Sequence, residues 1–480
     1  MNDMILILNY SDEFASEAAK RLRAEHVYCR IISGMTTASQ IRDIAPRGIL
    51  LTGEARSAAG VFDAEILSLG IPVLAMGHAA HMLLAAQGGA SAGAAMTDRK
   101  AMVKYGDSLL FARLEDGERY IPEALTLMLP ADVQMSASAS GCTIAFENTV
   151  KRQYGVQFEL ERNDPDGTAI LMNFARDICG CNAWWTIEAA LHEAQFALEE
   201  AAARGGRAIC AVSGGVDSAV AACVAHRAFG DRMTAIFVDT GLMREGESNW
   251  VEKFYQEQGI SLMRIDRGGV VLEALAGKTK TAEKAEVVMR VMHEEIERQA
   301  AAMMDVDTLI LGSNYSDYLH SGSDEEDWSG CGLTVLEPLH MLFKDEICDA
   351  AQVLGMDREL VEKKPFPALG LGARIVGEVT PERLHAMRVA DSIFADEVQQ
   401  AGLERRLYKY FPVLAGGAYG VDGENMILRA VTLSGGMLLP ARLPYDLIER
   451  TVERILAAAP TVARVLYDQT PTQVGQETFQ

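Results

Sequence analysis

An apolar run, Ala208-Ile209-Cys210-Ala211-Val212, leads straight into Ser213-Gly214-Gly215-Val216-Asp217-Ser218. An Ala-rich helical stretch, Ala219 to Ala225, follows. A buried strand, a glycine-rich turn and a helix N-terminus in this order form a cradle for phosphate. The glycines let the backbone come close to an anion. The first-turn N–H groups, which lack intrahelical partners, then face it with the helix dipole behind them. Ser213 and Ser218 can add hydroxyl donors, and Asp217 can hold a divalent cation that neutralises phosphate charge. No Gly-Lys-Ser/Thr follows, so this is not the Walker pattern.

The rest of the chain sets the context for that cradle. At 480 residues the chain has room for two or three domains. Its hydrophobic content of 49% and charged content of 23% are those of a globular protein. A net charge of −23 argues against nucleic acid bound through a general basic surface. No run reaches the roughly 18 apolar residues of a membrane span. The start, Met1 to Leu8, has no basic leader and reads as a first strand, so no membrane partner and a cytoplasmic location are expected. Eight scattered cysteines suggest reduced thiols, and the spacing of Cys179 and Cys181 suits no common zinc site.

Apolar runs at 5–8, 48–51 and 71–76 read as parallel strands of a first α/β unit. Residues 183–204 read as a linking helix. Strands near 208–212, 233–238, 260–265 and 308–311, with helices between them, make a second unit. The repeated alternation predicts α/β architecture: two doubly wound parallel-sheet domains. From about 366 the pattern changes. Strands are expected at 374–378, 426–432 and 464–467, and helices at 381–401 and 445–458, giving a small C-terminal α+β domain. The expected division is 1–182, 183–365 and 366–480.

The Ser213–Ser218 string resembles the pyrophosphate loop of the ATP-pyrophosphatases. Val238-Asp239-Thr240-Gly241-Leu242-Met243-Arg244, Phe343-Lys344-Asp345-Glu346, Pro365-Phe366-Pro367, Arg374-Ile375-Val376-Gly377-Glu378 and Arg442-Leu443-Pro444-Tyr445 narrow that resemblance to the GMP synthase family. The resemblance covers nearly the whole chain. It implies adenylation of a carbonyl oxygen by ATP with Mg2+, displacement of AMP by ammonia, and a homodimer formed through the C-terminal domain. It also implies that Ser213, Gly214, Gly215, Val216, Asp217 and Ser218 hold phosphate. Asp239 and Gly241 would meet adenosine, Lys344 would contact phosphate, and Asp317 would lie near the reacting centre.

The first segment is similar to the family's glutamine amidotransferase domain, but its triad is broken. Gly77 stands at the elbow where the family has its nucleophilic cysteine, and glycine supplies no nucleophile. Glu159 replaces the histidine after Val156-Gln157-Phe158, leaving Glu161 alone of the three. Thr52-Gly53-Glu54-Ala55 and Leu129-Pro130-Ala131-Asp132 replace the oxyanion and substrate segments. The expectation is an inactive scaffold fed by free ammonia or a separate glutaminase partner. The alternative is a replacement site in which His78 or His81 acts as a base, or the two together ligate a metal with Glu159. The acidic run Asp324-Glu325-Glu326-Asp327, the tail from Thr470, and Leu414-Ala415-Gly416 remove cations expected to meet a nucleotide phosphate. The acceptor is therefore expected to be XMP held differently, or a related phosphate-free compound. Rival readings are sulfur transfer on the same adenylate through Cys331, or a non-catalytic nucleotide-binding or partner subunit.

Overall fold

The computed structural model describes residues 3–10, 12–53, 63–94, 100–121, 124–158, 165–321, 328, 332–363, 366–367, 369–417, 422–434 and 437–473. It divides into two compact units, Met1–Ala189 and Ala190–Gln480.

In the first unit β1 (Ile5–Asn9), β2 (Cys29–Ser33), β3 (Gly48–Thr52) and β4 (Val73–Met76) pair in parallel. Their connections carry α1 (Asp12–Ala24), α2 (Ala38–Ile44) and α3 (His78–Ala86), and α4 (Pro165–Met172) follows later. Ile5 to Leu8 are wholly buried, as a central parallel strand covered on both faces requires. Leu6 and Leu8 enter one core with Ile41, Leu83 and Leu84.

The sheet then departs from the purely parallel expectation. Further strands are β5 (Ala90–Ala94), β6 (Lys100–Tyr105), β7 (Gly117–Tyr120), β8 (Leu125–Met128), β9 (Gln134–Ala139), β10 (Cys142–Asn148) and β11 (Gln153–Val156). The order is β2-β1-β3-β4-β11-β10-β9-β6-β7, with β5 and β8 paired apart. β11 joins β4 in parallel, and everything beyond it is antiparallel. β6 buries Ala101 and Val103 while Lys100, Met102 and Lys104 stay exposed. That alternation marks a sheet with one solvated face, and it lacks the continuous apolar runs that advertise parallel strands.

The second unit begins within α5 (Ile187–Ala202). Its parallel sheet, in the order β14-β13-β12-β15-β16, comprises β12 (Arg207–Ala211), β13 (Met233–Asp239), β14 (Leu262–Asp266), β15 (Val306–Ile310) and β16 (Thr334–Leu336). The helices are α6 (Val216–Phe229), α7 (Glu247–Glu257), α8 (Gly268–Ala274), α9 (Thr281–Ala302), α10 (Tyr315–Ser321), α11 (Lys344–Val353) and α12 (Arg358–Glu362). β12 has β13 on one side and β15 on the other, so the winding reverses there. Ligands of such sheets bind outside the carboxyl ends of the strands at that switch point.

The remainder carries α13 (Pro381–Gln400), β17 (Lys409–Ala415), β18 (Glu424–Ser434), β19 (Met437–Pro440), α14 (Tyr445–Ala458), β20 (Val462–Tyr467) and β21 (Thr472–Gln473). The sheet is antiparallel through β17-β18-β19-β21, and β20 lies parallel to β18. Thr380 caps α13 by accepting the Arg383 N–H, with Pro381 in the first turn. Met387, Phe394, Leu428 and Leu447 share one apolar cluster with Leu242, Val271 and Leu275 from the earlier part of the unit.

The strand expected at 374–378 is corrected. Gly370–Arg374 is a 3₁₀ turn, and Ile375 makes only an isolated bridge to Leu414. Gly370 takes φ +61° and packs against Leu242, whose carbonyl accepts the Leu371 N–H at 2.8 Å. Buried Arg374 is drawn to Asp391 at 2.7 Å and lies over the Phe366 and Phe411 rings. These tertiary anchors override the β-branched pattern of the segment.

Candidate functional site

The turn after β12 is closed by its own serines. The Ser218 hydroxyl accepts the Ser213 N–H at 3.0 Å and lies 3.1 Å from the Gly215 carbonyl oxygen, to which it donates. The two hydroxyl oxygens are 3.0 Å apart, and Ser213 Oγ accepts the Gly215 N–H at 3.2 Å. Ser213 and Ser218 thus shape the loop in addition to any contact with an anion. Gly215 is the N-cap of α6, so Val216, Asp217 and Ser218 form its first turn. From the neighbouring strand end, Gly312 backs this turn so closely that a Cβ there would lie 2.8 Å from Ser218 Cα.

Lys344, at the start of α11, reaches the loop. Its Nζ donates to both Asp217 carboxylate oxygens at 2.6 Å. The cation and the carboxylate expected to handle phosphate and metal are therefore side by side, 127 positions apart in sequence. Both are partly exposed, so the pair is open to exchange with an incoming polyanion and its cation.

Asp239 ends β13 and is nearly buried. Burial pushes its pKa up, but hydrogen bonds from Ser248, the Gly241 N–H and Arg264 outweigh it and hold the carboxyl below its usual range. Oδ1 accepts the Gly241 N–H at 3.0 Å and Oδ2 accepts Arg264 at 2.8 Å. Gly241 has φ +71° and packs on Gly268, a conformation and approach that favour glycine. Asp239 and Gly241 line a pocket of about 270 Å³ with Met243, Asp266 and Arg388. Asp317 sits in the first turn of α10 and is engaged there: Oδ2 accepts the Asn314 N–H at 3.1 Å, while Asn314 Oδ1 accepts the Ser316 and Asp317 N–H groups.

Several residues absent from the sequence reading join these. Lys363 donates to the Gly214 carbonyl at 3.1 Å, pairs with Glu247 and lies 3.8 Å over the Trp250 ring. All three line a cleft of about 920 Å³ that also includes Arg244, Asp391 and Tyr410. Asp391 lies between Arg374 at 2.7 Å and Arg244 at 3.0 Å. Burial lowers the Arg374 pKa to about 10, against the pull of Asp391. Arg388 of α13 donates to the Gly241 and Met243 carbonyls at 2.7 and 3.0 Å. Nothing local in the sequence signals these contacts.

In the first unit, Gly77 joins β4 to α3 with φ +61° and ψ −130°. This is a sharp strand-to-helix turn at a residue without a side chain. Its N–H donates to the Val156 carbonyl at 2.9 Å. Gln157 is buried and spends its amide on Leu125 and Thr143. His78 and His81 face each other with ring centroids 5.7 Å apart. Glu54, Ala55, Glu159, Glu161, the run Asp324–Asp327, Cys331 and the tail from Val474 lie outside the described residues.

Among the described residues, no group of three or more His, Cys, Asp or Glu could hold a metal ion, and no helix is long and apolar enough to cross a membrane.

Comparison with known proteins completes the description. Residues 195–394 match the family model described as NAD synthase. A glutamine-hydrolysing GMP synthase of Caldanaerobacter subterraneus subsp. tengcongensis is 35% identical, covering 98% of this chain and 97% of the relative. The same enzyme of Limosilactobacillus reuteri is 32% identical over 98% and 96%. That of Geobacillus kaustophilus is 34% identical over 98% of each chain.

Proposed function

Because the chain belongs to the GMP synthase family, and so to the ATP-dependent ligases, we propose that it adenylates a carbonyl oxygen of a purine-type acceptor. Ammonia then displaces AMP. The acceptor is XMP or a related phosphate-free compound. The β12–α6 loop, with Lys344 set on Asp217, is the observation that carries this reading.

In this proposal Ser213, Gly214, Gly215, Val216 and Ser218 present the loop and first-turn N–H groups to the phosphates leaving as pyrophosphate. Lys344 moves from Asp217 to those phosphates and stabilises the charge that develops on them. Asp217 then serves Mg2+, which favours one or two carboxylates together with phosphate oxygens and water. Its position at the helix start fits that mode. Asp239 and Gly241 shape the adenosine side. Asp317 holds the chain beside the loop near the reacting centre.

Two features support the narrower claims. Gly77 leaves the elbow without an attacking atom, which supports ammonia as nitrogen source, free or delivered by a separate glutaminase. The cleft beside Lys363 is lined by Glu245, Glu247, Glu359, Asp391, Asp396 and Glu404 against Arg244, Lys363 and Arg405. An acidic lining disfavours a phosphate dianion, which supports a phosphate-free acceptor. We also propose the division at 182/183 and 365/366, a homodimer through the C-terminal segment and a cytoplasmic location.

The test is AMP and pyrophosphate release with XMP, xanthosine and xanthine, each with ammonium and with glutamine. The expected result is ammonium-dependent turnover that favours a phosphate-free compound. Release of ADP and phosphate would sink the chemistry. Stoichiometric glutamate release would sink the ammonia claim, and efficient turnover of XMP the acceptor preference.

A further inference from the structure

We propose that Lys363 is a positioning residue that locks the Gly214–Gly215 peptide of the phosphate loop against flipping. The inference rests on the proposed ATP reading of that loop.

A peptide unit is planar and trans, so its C=O and N–H point in opposite directions. Here the Gly214 carbonyl points outward to Lys363 Nζ at 3.1 Å. The N–H of the same peptide, that of Gly215, points inward to Ser213 Oγ at 3.2 Å. The plane is thus held at both ends. Two consecutive glycines make rotation of such a peptide sterically cheap. A flip would turn the carbonyl oxygen towards the anion and remove the N–H from the loop.

The ammonium that prevents this is itself fixed three ways: by Gly214 O, by the nearly buried Glu247 carboxylate and by the face of Trp250 at 3.8 Å. The fixture is built tightly. A Cβ on Gly214 would come within 2.5 Å of Glu247 Oε1 and 3.3 Å of Lys363 Nζ. Glu247 neutralises the lysine, so Lys363 acts on an anion through the peptide it orients and contributes little field of its own. It also lines the 920 Å³ cleft, so an occupant of the cleft touches the group that sets the loop.

The experiment measures binding of inorganic pyrophosphate with magnesium, and separately of adenosine, by calorimetry on the full chain. Lys363→Met leaves the nearly buried Glu247 carboxylate unpaired, so it should melt below the wild type and, where folded, bind pyrophosphate about tenfold more weakly, the size of one hydrogen bond to a charged group. Adenosine affinity should hold, and Lys363→Arg should recover most of the loss. Unchanged pyrophosphate binding in folded Lys363→Met overturns the inference, as does an equal loss for both ligands. Trp250→Leu removes only the ring and should weaken pyrophosphate about threefold. If Lys363→Met does not fold, an unchanged Trp250→Leu overturns the inference instead. Failure of the wild type to bind pyrophosphate would remove the ATP reading as well, whereas equal binding by wild type and Lys363→Met removes this inference alone.

Discussion

Replacing Gly312 with alanine should displace the helix that carries the phosphate loop. The added Cβ would lie 2.8 Å from Ser218 Cα, 2.9 Å from Ser218 N and 3.1 Å from the Asp217 carbonyl carbon. Ordinary contact begins near 3.4 Å, so the worst overlap is 3.4 − 2.8 = 0.6 Å. Every atom met is backbone, so no side chain can swing aside. The first turn of α6 must retreat, although Val220 and Ala221 behind it are wholly buried. Overpacking of this kind costs about 1–3 kcal/mol. For a unit of this size that lowers the melting temperature by roughly 2–5 °C. The loop would move by several tenths of an ångström, so pyrophosphate affinity should fall about tenfold or more. Gly215→Ala is the control for stability. Its Cβ would meet only Ser213 Oγ at 3.4 Å, and its φ of −95° is ordinary. It should melt within about 0.5 kcal/mol of wild type. Thermal unfolding and calorimetry read both variants. A Gly312→Ala protein with wild-type melting and wild-type pyrophosphate binding would refute the reasoning.

Three further outcomes are expected. Burial lowers the pKa of Lys284 from 10.5 to about 8, with the charge of Arg383 adding to the shift. The unfolded chain therefore binds more protons between those values, and this group's stability contribution rises from pH 8 to 10.5 and is lost as pH falls through 8. The difference in unfolding free energy between wild type and Lys284→Met should carry that slope, and a flat difference would contradict it. Gly77→Cys puts a side chain at φ +61°, ψ −130°, which should cost about 1–3 kcal/mol in denaturant titration and release no glutamate from glutamine. Asp391→Asn leaves the Arg244 and Arg374 guanidiniums without their shared carboxylate. It should destabilise the second unit by about 3–5 kcal/mol, and a loss below 1 kcal/mol would show that the cluster is well hydrated.

The parallel strands were legible because β1, β3, β12 and β13 are nearly unbroken apolar runs, buried on both faces. The β12–loop–α6 turn was legible because its glycines and serines are contiguous. The antiparallel extension was not, since β6 and its neighbours show one buried face and short, mixed sequences. Residues 374–378 were misread as a strand because the conformation of the Gly370–Arg374 turn that leads into them depends on Leu242 and Asp391, far away in sequence. The pairing of Lys344 with Asp217 has no local signal, and the family resemblance pointed only to Lys344 at phosphate. Lys363 was invisible for the same reason. It lies 149 positions from the carbonyl it holds, and Lys363-Lys364 before a proline reads as a solvated pair.

Within the second unit the two halves grip each other reciprocally. Arg388 of α13 holds the carbonyls of Gly241 and Met243, while Lys284 of α9, wholly buried, holds those of Gly372 and Ile375. Residues 366–480 also share one apolar cluster with the part of the unit before them. A chain cut at 365 would strip the cover from Leu242, Val271 and Leu275 and remove both carbonyl acceptors of Lys284. A displacement of α13 would drag Arg388, and with it the Gly241–Met243 turn beside Asp239.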